Sequence, residues 1–269
     1  MSGSGRNTSD TKKKMPRWQR FARARAYRLG LAMQEAATVP GYWQARRLKW
    51  EMSHVQRLKR WAEEGFKADV VLDIGANSGE WSEMCGKFFE PWLICLVEPQ
   101  SAFHQQIAGR AKAQKGEWRL FPVALGDSPS EVTLHLTENR AASSLLKPLD
   151  SGVPSAWGTG AVATEKVRVE RLDDLWRAGR LEAPDLVKID VQGFEGAVVS
   201  GGREVLSRCQ RLVVEVSLSP IYEGQPLIGE MIQTLGGLGL VVEDISETCR
   251  SWPDGKLWQV DLWMRRKGA

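Results

Sequence analysis

After Lys67 the chain alternates short apolar runs with helix-length segments, and this alternation limits the fold more than any other feature. Val70–Ile74, Leu93–Val97, Leu120–Ala124, Leu186–Ile189 and Leu212–Val216 read as strands buried on both faces. Helical candidates follow four of them, over Gly79–Phe89, Ala102–Ala113, Glu195–Arg208 and Leu227–Leu238. Parallel strands need crossovers of helix length, so this order predicts a doubly wound, mostly parallel α/β sheet of the Rossmann-like kind. Two late strands, Leu240–Ile245 and Leu257–Arg265, lie close enough in sequence to form an antiparallel pair at one edge, which makes seven strands in all.

One interruption falls between the third and fourth parallel strands. Glu131–Leu136 and Lys166–Leu172 alternate apolar and polar residues, as half-buried strands of an inserted ribbon would. The stretch between them, Asn139–Ala163, is rich in Ser, Gly, Ala and Pro and reads as a lid or binding loop.

The charge is divided along the chain. Residues 1–68 hold 16 Lys/Arg against 5 Asp/Glu, whereas the remaining 201 residues hold 21 against 28. Residues 1–15 are small, polar and basic, and are expected to be disordered. Residues 16–66 carry aromatic and aliphatic side chains at three- and four-residue steps, broken at Pro40-Gly41, and are expected to form a helical segment ahead of a catalytic domain over 67–269. Its tryptophans (Trp18, Trp43, Trp50 and Trp61) would pin these helices to the body. The alternative is a helix lying at a membrane surface, since Trp18, Phe21 and Tyr27 sit among Arg17, Arg20, Arg23, Arg25 and Arg28. Nucleic acid is not expected as a partner, because no RNA-binding motif accompanies the charge. No run approaches the roughly 18 apolar residues of a membrane span, and the N-terminus lacks the apolar core of a secretory signal. The expected location is the cytoplasm, at the inner membrane surface if the basic helix binds there.

Cys85, Cys95, Cys209 and Cys249 are far apart and read as reduced structural thiols. With only His54, His104 and His135 to join them, a zinc site is not expected.

The sequence VLDIGANSGEW (Val71–Trp81) is the most informative stretch. A strand ends at Asp73, a glycine-rich turn follows, and a helix begins near Gly79 with Ser78 placed to cap it. Such a turn brings backbone N–H groups to the carboxyl edge of the sheet, where anionic ligand groups bind. The G-x-G-x-x-G spacing of nicotinamide and flavin binders is absent, as is the Gly-Lys-Ser/Thr ending of a nucleotide triphosphate loop. What remains is the Asp-x-Gly-x-x-x-Gly turn common among S-adenosylmethionine binders, with Asp73, Gly75, Ala76, Asn77 and Gly79 as candidate cofactor contacts. Glu98 ends the second strand, where a carboxylate can accept hydrogen bonds from both ribose hydroxyls. Asp127, after the third strand, is a candidate for the adenine amino group or a turn residue. Ser143 and Ser144 in the long loop are candidates for cofactor or substrate contacts.

On these residues the chain resembles the FkbM methyltransferases, a class I S-adenosylmethionine-dependent family. The matching segments are VLDIGANSGEW (71–81), VEP (97–99), VALGD (123–127), SSLL (143–146), KIDVQGFEGAVVSGG (188–202), VVEV (213–216) and QVDLW (259–263). They span most of the body from His54 to Met264 and leave out the basic N-terminal segment. KIDVQGFE is the most family-specific of them, and Gln192 stands where the family usually has Glu. The resemblance implies methylation of a hydroxyl, often on a sugar or a glycosylated or polyketide metabolite.

Asp190 and Glu215 should end adjacent strands on the cofactor's edge. Removing the proton of a weakly acidic hydroxyl calls for a base, and Asp190 is the first candidate, with Glu215 and Glu195 as the others. Glu195 could instead cap the helix it opens, and Lys188 could serve as a carboxylate's partner. Three strand-end carboxylates could also take Mg²⁺ or Ca²⁺, but no dedicated metal spacing is present and no metal is assigned. His104 reads as a surface residue; His54 and His135 are weaker candidates for contacts to the cofactor edge and the substrate. The competing readings are an RNA or protein methyltransferase and a non-catalytic protein of the same fold that binds a partner. The sequence leaves the oligomeric state open.

Overall fold

A computed structural model of the chain describes residues 50–149, 161–251 and 255–268, together with Met33. The basic tail, most of the N-terminal helical segment and the middle of the long loop lie outside the described residues. So do Trp18 and Trp43, and with them the membrane-surface reading. The chain divides into two units, Met1–Met52 and Ser53–Ala269, and the second holds the sheets and the cleft.

Seven strands form the main sheet. In chain order they are β1 (Val70–Ile74), β2 (Leu93–Val97), β3 (Glu117–Phe121), β7 (Leu186–Ile189), β8 (Arg211–Ser217), β9 (Leu240–Arg250) and β10 (Leu257–Arg266). Their spatial order is β3-β2-β1-β7-β8-β10-β9. The first five run parallel, and β10 is antiparallel to both β8 and β9. Every residue of β1, β2 and β7 is buried, as expected of strands covered on both faces. The order reverses at β1, so the crevice outside the carboxyl ends of β1, β2 and β7 is where a ligand is expected.

The crossover elements are α2 (Glu80–Phe89), α3 (Ser101–Ala111), α4 (Leu172–Arg177), α5 (Glu195–Gly201), α6 (Arg203–Leu206) and α7 (Ile228–Gly236). The expected single helix over Glu195–Arg208 is broken at Gly202, where an added Cβ would lie 2.7 Å from the Leu172 side chain. The third strand also differs from its expected bounds. The run Leu120–Ala124 divides: β3 ends at Phe121, and β4 (Ala124–Leu125) joins a second sheet. That sheet, ordered β4-β6-β5, is the inserted ribbon, built from β5 (Ser130–Thr137) and β6 (Ala161–Glu170).

Helix α1 (Met52–Glu63) is held to the strands by residues well separated in sequence. Trp61 is fully buried, packs edge-on against Trp263 at 5.0 Å, and donates from Nε1 to Glu243 Oε2 at 3.1 Å. Burying a ring of that size contributes roughly 5 kcal/mol as an upper figure. Arg57 and Arg60 both reach Asp244.

Candidate active site

The turn after β1 is set by the backbone. Gly75 has φ 80°, a conformation side-chain-bearing residues rarely adopt, and a Cβ there would lie 1.8 Å from the Asp190 carbonyl oxygen. Gly75 is therefore a point of tight backbone approach between the chain leaving β1 and the chain leaving β7. Its N–H and that of Ala76 both donate to the Val97 carbonyl, tying the turn to the end of β2. The Asn77 N–H donates to Glu98 Oε2, Ser78 N–H to Asn77 Oδ1, and Gly79 N–H to the Ala76 carbonyl. Every N–H from Gly75 to Gly79 is thus satisfied inside the protein. The expectation that this turn offers donors to an anion is corrected: it is closed on itself and leaves no cradle for a phosphate. The expected Ser78 cap is also absent. Gly79, left-handed at φ 81°, occupies the N-cap position of α2 without a side-chain bond.

Glu98 accepts from the backbone of Asn77 and Gln100, each at 2.8 Å, on separate oxygens. Burial pushes its carboxyl up to about 7 against the pull of those two bonds. Each oxygen keeps a lone pair for a donor in the cleft. Beside it, Gln100 Oε1 is buried with no hydrogen-bond partner among the described residues, an acceptor suited to a ligand hydroxyl or amino group.

The cleft is lined on one side by Gly75, Asn77, Glu98 and Gln100, on another by Leu134, Ser143 and Leu145, and on a third by Asp190, Gln192, Phe194 and Glu215. The structure therefore brings together Gly75, Asn77, Glu98, Ser143, Asp190 and Glu215 of the sequence candidates. The remaining cofactor and base candidates stand behind or beside the wall. Asp73 is fully buried and accepts from Ser82 Oγ at 2.7 Å, which fixes α2 against β1. Burial raises its carboxyl, with Lys188 pulling the other way. Ala76 and Gly79 are buried members of the turn. Asp127 is exposed, accepts from Ser128 Oγ at 3.0 Å, and lies outside the cleft lining. Ser144 donates to the Gln192 carbonyl at 2.6 Å and supports the wall from behind.

Glu195 does not cap the helix it opens, whose N-cap residue Phe194 has no side-chain bond; it braces the preceding loop instead. Its Oε1 accepts from the N–H groups of Val191 and Gly193, both at 3.1 Å, and closes the loop between β7 and α5. Burial raises its carboxyl to about 7. Lys188 donates to Asp190 Oδ2 at 2.9 Å. Burial acts to raise the Asp190 carboxyl, but the Lys188 charge and the bonds from Lys188 and Gln192 outweigh it, so Asp190 lies below its ordinary range. Glu215 is pushed well above its range by burial and by the charges of Asp190, Asp261 and Glu195. The two neighbouring carboxyls are thus shifted in opposite directions, the kind of separation by which two acids in one site take different proton duties. The Lys188 ammonium already gives Asp190 a cationic partner.

Sequence reasoning missed Gln100, Gln192 and Phe194 as lining residues. Gln192 was signalled by its departure from the family's usual Glu; the other two carried no spacing signal. His104 Nε2 lies 2.9 Å from the Glu98 carbonyl oxygen, and His54 Nε2 lies 2.6 Å from Asp261 Oδ2, so both bind protein groups. His135 pairs through its backbone with Ser144.

Comparison with known proteins identifies the family. Residues 73–242 match the family described as Methyltransferase FkbM domain. A curated relative, 2-O-methyltransferase NoeI of Sinorhizobium fredii, is 27% identical over 186 residues, covering 65% of this chain and 74% of that protein. Hexuronic acid methyltransferase AglP of Haloferax volcanii is 24% identical over 182 residues, covering 66% and 67%. Among solved structures, magnesium protoporphyrin IX methyltransferase of Synechocystis is similar over 85% of this chain and 92% of that one, at 13% identity and a TM-score of 0.46. The chain belongs to the FkbM methyltransferase family and is an S-adenosylmethionine-dependent enzyme.

Proposed function

We propose that the protein methylates a hydroxyl group of a saccharide or glycosylated metabolite. One observation carries the choice of donor. The rim offers carboxylate and amide acceptors but no unsatisfied N–H in the glycine turn, which suits a cationic nucleoside without phosphates. Glu98 would hold the ribose hydroxyls, Gln100 would accept from a further donor, and Leu134 and Leu145 supply apolar surface on the same wall. When bound there, S-adenosylmethionine supplies an electrophilic methyl group on positively charged sulfur.

The acceptor's chemistry follows from the opposite wall. A hydroxyl that gains a methyl group must lose its proton, and the chain has to provide somewhere for it to go. Asp190 is ionised, half-buried and faces the cleft, so it is the group placed to take that proton. Lys188 keeps it charged and in place. Positioning the oxygen in line with the methyl contributes more than the base does, which is worth on the order of 10²–10⁴-fold. The choice of a saccharide is supported by the relatives, one named for 2-O-methylation and the other for a hexuronic acid.

The test is incubation with methyl-labelled S-adenosylmethionine against separate panels of glycans, RNA and proteins. Label bound through oxygen on a carbohydrate is the expected result. Label confined to RNA or protein, or cofactor binding without transfer to any panel, would overturn the reading.

A further inference from the structure

Gln192 is one of three non-glycine residues with positive φ among the described residues, at 54°. Such a backbone has to be held by its surroundings, and strain of this kind gathers at functional sites. Two clamps hold it. Glu195 accepts from the N–H groups on either side, and Ser144 Oγ donates to the Gln192 carbonyl. The consequence is that the side chain enters the cleft between two acids. Its Nε2 lies 2.8 Å from Asp190 Oδ1 and 2.7 Å from Glu215 Oε2, so each N–H of one amide group serves one carboxyl. The Tyr222 hydroxyl, 3.2 Å from Gln192 Oε1, sits at the amide's other end. Gln259 Nε2 donates to the same Glu215 oxygen at 2.8 Å.

We propose that Gln192 is a positioning residue whose amide joins Asp190 and Glu215 into one unit that holds a single proton, on Glu215, and keeps Asp190 as the proton-accepting partner. Position decides which acid is charged. Lys188 occupies the second Asp190 oxygen, whereas Glu215 faces Asp261, directly opposite it on β10, and has no cation in contact among the described residues. The other ionisable groups around the unit are Asp73 on β1, His54 on α1, Glu195 on α5, Tyr222 in the loop after β8, and Cys249 on β9. Lys188 is the one among them that is cationic at all working pH values, and it is committed to Asp190. A glutamate at 192 would bring a third carboxyl against the other two and demand another proton or a cation. The amide meets the same geometry with donors alone. This role for Asp190 rests on the hydroxyl-methylation reading, but the bridge itself does not.

The experiment is a carbon-13 NMR titration of the Asp and Glu side-chain carboxyls in the full chain saturated with S-adenosylhomocysteine. No acceptor is present, so failure of glycan methylation would leave the outcome untouched. In the native protein the signal assigned by its loss in Glu215→Gln should remain protonated at pH 7, while the Asp190 signal is ionised. Gln192→Met should raise the Asp190 midpoint by half a unit or more, about threefold in proton affinity or greater. Gln192→Glu should add one protonated carboxyl at pH 7. Should Gln192→Met fail to fold, Gln192→Asn, which tolerates positive φ but is one methylene too short to bridge both acids, should raise the same midpoint, and a midpoint it leaves unmoved counts equally against the proposal. An ionised Glu215 at pH 7, or an Asp190 midpoint unmoved by loss of the amide, would overturn the proposal.

Discussion

The two walls of the cleft are built on different principles. The wall at β1 and β2 is framed by backbone and presents the Glu98 and Gln100 side chains. Its turn satisfies its own N–H groups, and Glu98 is fixed by two more. The wall at β7, β8 and β10 is made of side chains: Lys188, Asp190, Gln192, Glu215 and Gln259 form a chain of donors and acids across three strands. A backbone wall suits a ligand that is the same in every turnover, because its shape cannot drift with a rotamer. A wall of coupled side chains can have its proton inventory retuned by one substitution, and this is where the chemistry of a particular acceptor has to be met.

The largest effect should come where the walls touch. Gly75→Ala places a methyl group 1.8 Å from the Asp190 carbonyl in a backbone conformation that alanine resists. The expected loss is roughly 3–5 kcal/mol of stability, read by denaturant unfolding. A loss under about 1 kcal/mol would mean that the two walls are not in contact through this turn. Asp190→Asn should next separate the walls functionally. Methyl transfer to a carbohydrate hydroxyl should fall on the order of 10²–10⁴-fold while cofactor affinity stays within about threefold. An equal loss in both would put Asp190 on the cofactor wall.

Glu98→Gln should do the reverse, weakening cofactor binding by about 10- to 100-fold, as expected for hydrogen bonds to a charged group. Its folded carboxyl lies at about 7, and ribose hydroxyls donate to the ionised form. Native affinity should therefore hold above pH 7 and fall as pH drops below it, by at most about tenfold per unit. The Gln variant should lose that dependence. The smallest effect belongs to Asp127→Ala, which should change cofactor affinity less than about twofold because the exposed side chain is outside the cleft lining. A tenfold change would restore it as an adenine contact and enlarge the backbone wall.

The same division explains what the sequence discloses. The wall at β1 and β2 is local: Asp73, Gly75 and Glu98 lie within 26 residues on consecutive strands, so spacing alone indicates them. The strand order near β1 and the inserted ribbon follow from alternation and segment length. The opposite wall depends on register. Glu215 faces Asp261 only because β8 and β10 pair at that step, and no spacing rule links residues 46 apart. Gln100 and Phe194 reach the cleft through loop geometry, which single-residue patterns do not encode. The turn misled in one respect: its glycines suggested an open anion site, and only the hydrogen-bond partners reveal that it is closed.

The most direct measurement is calorimetric titration of the full chain with S-adenosylmethionine at several pH values. We expect saturable binding of one molecule per chain, steady above pH 7, weaker below it, and flattened in pH response by Glu98→Gln. Absence of heat at saturating concentrations, or binding indifferent to Glu98 and to acid, would contradict the assignment of this rim as the donor site.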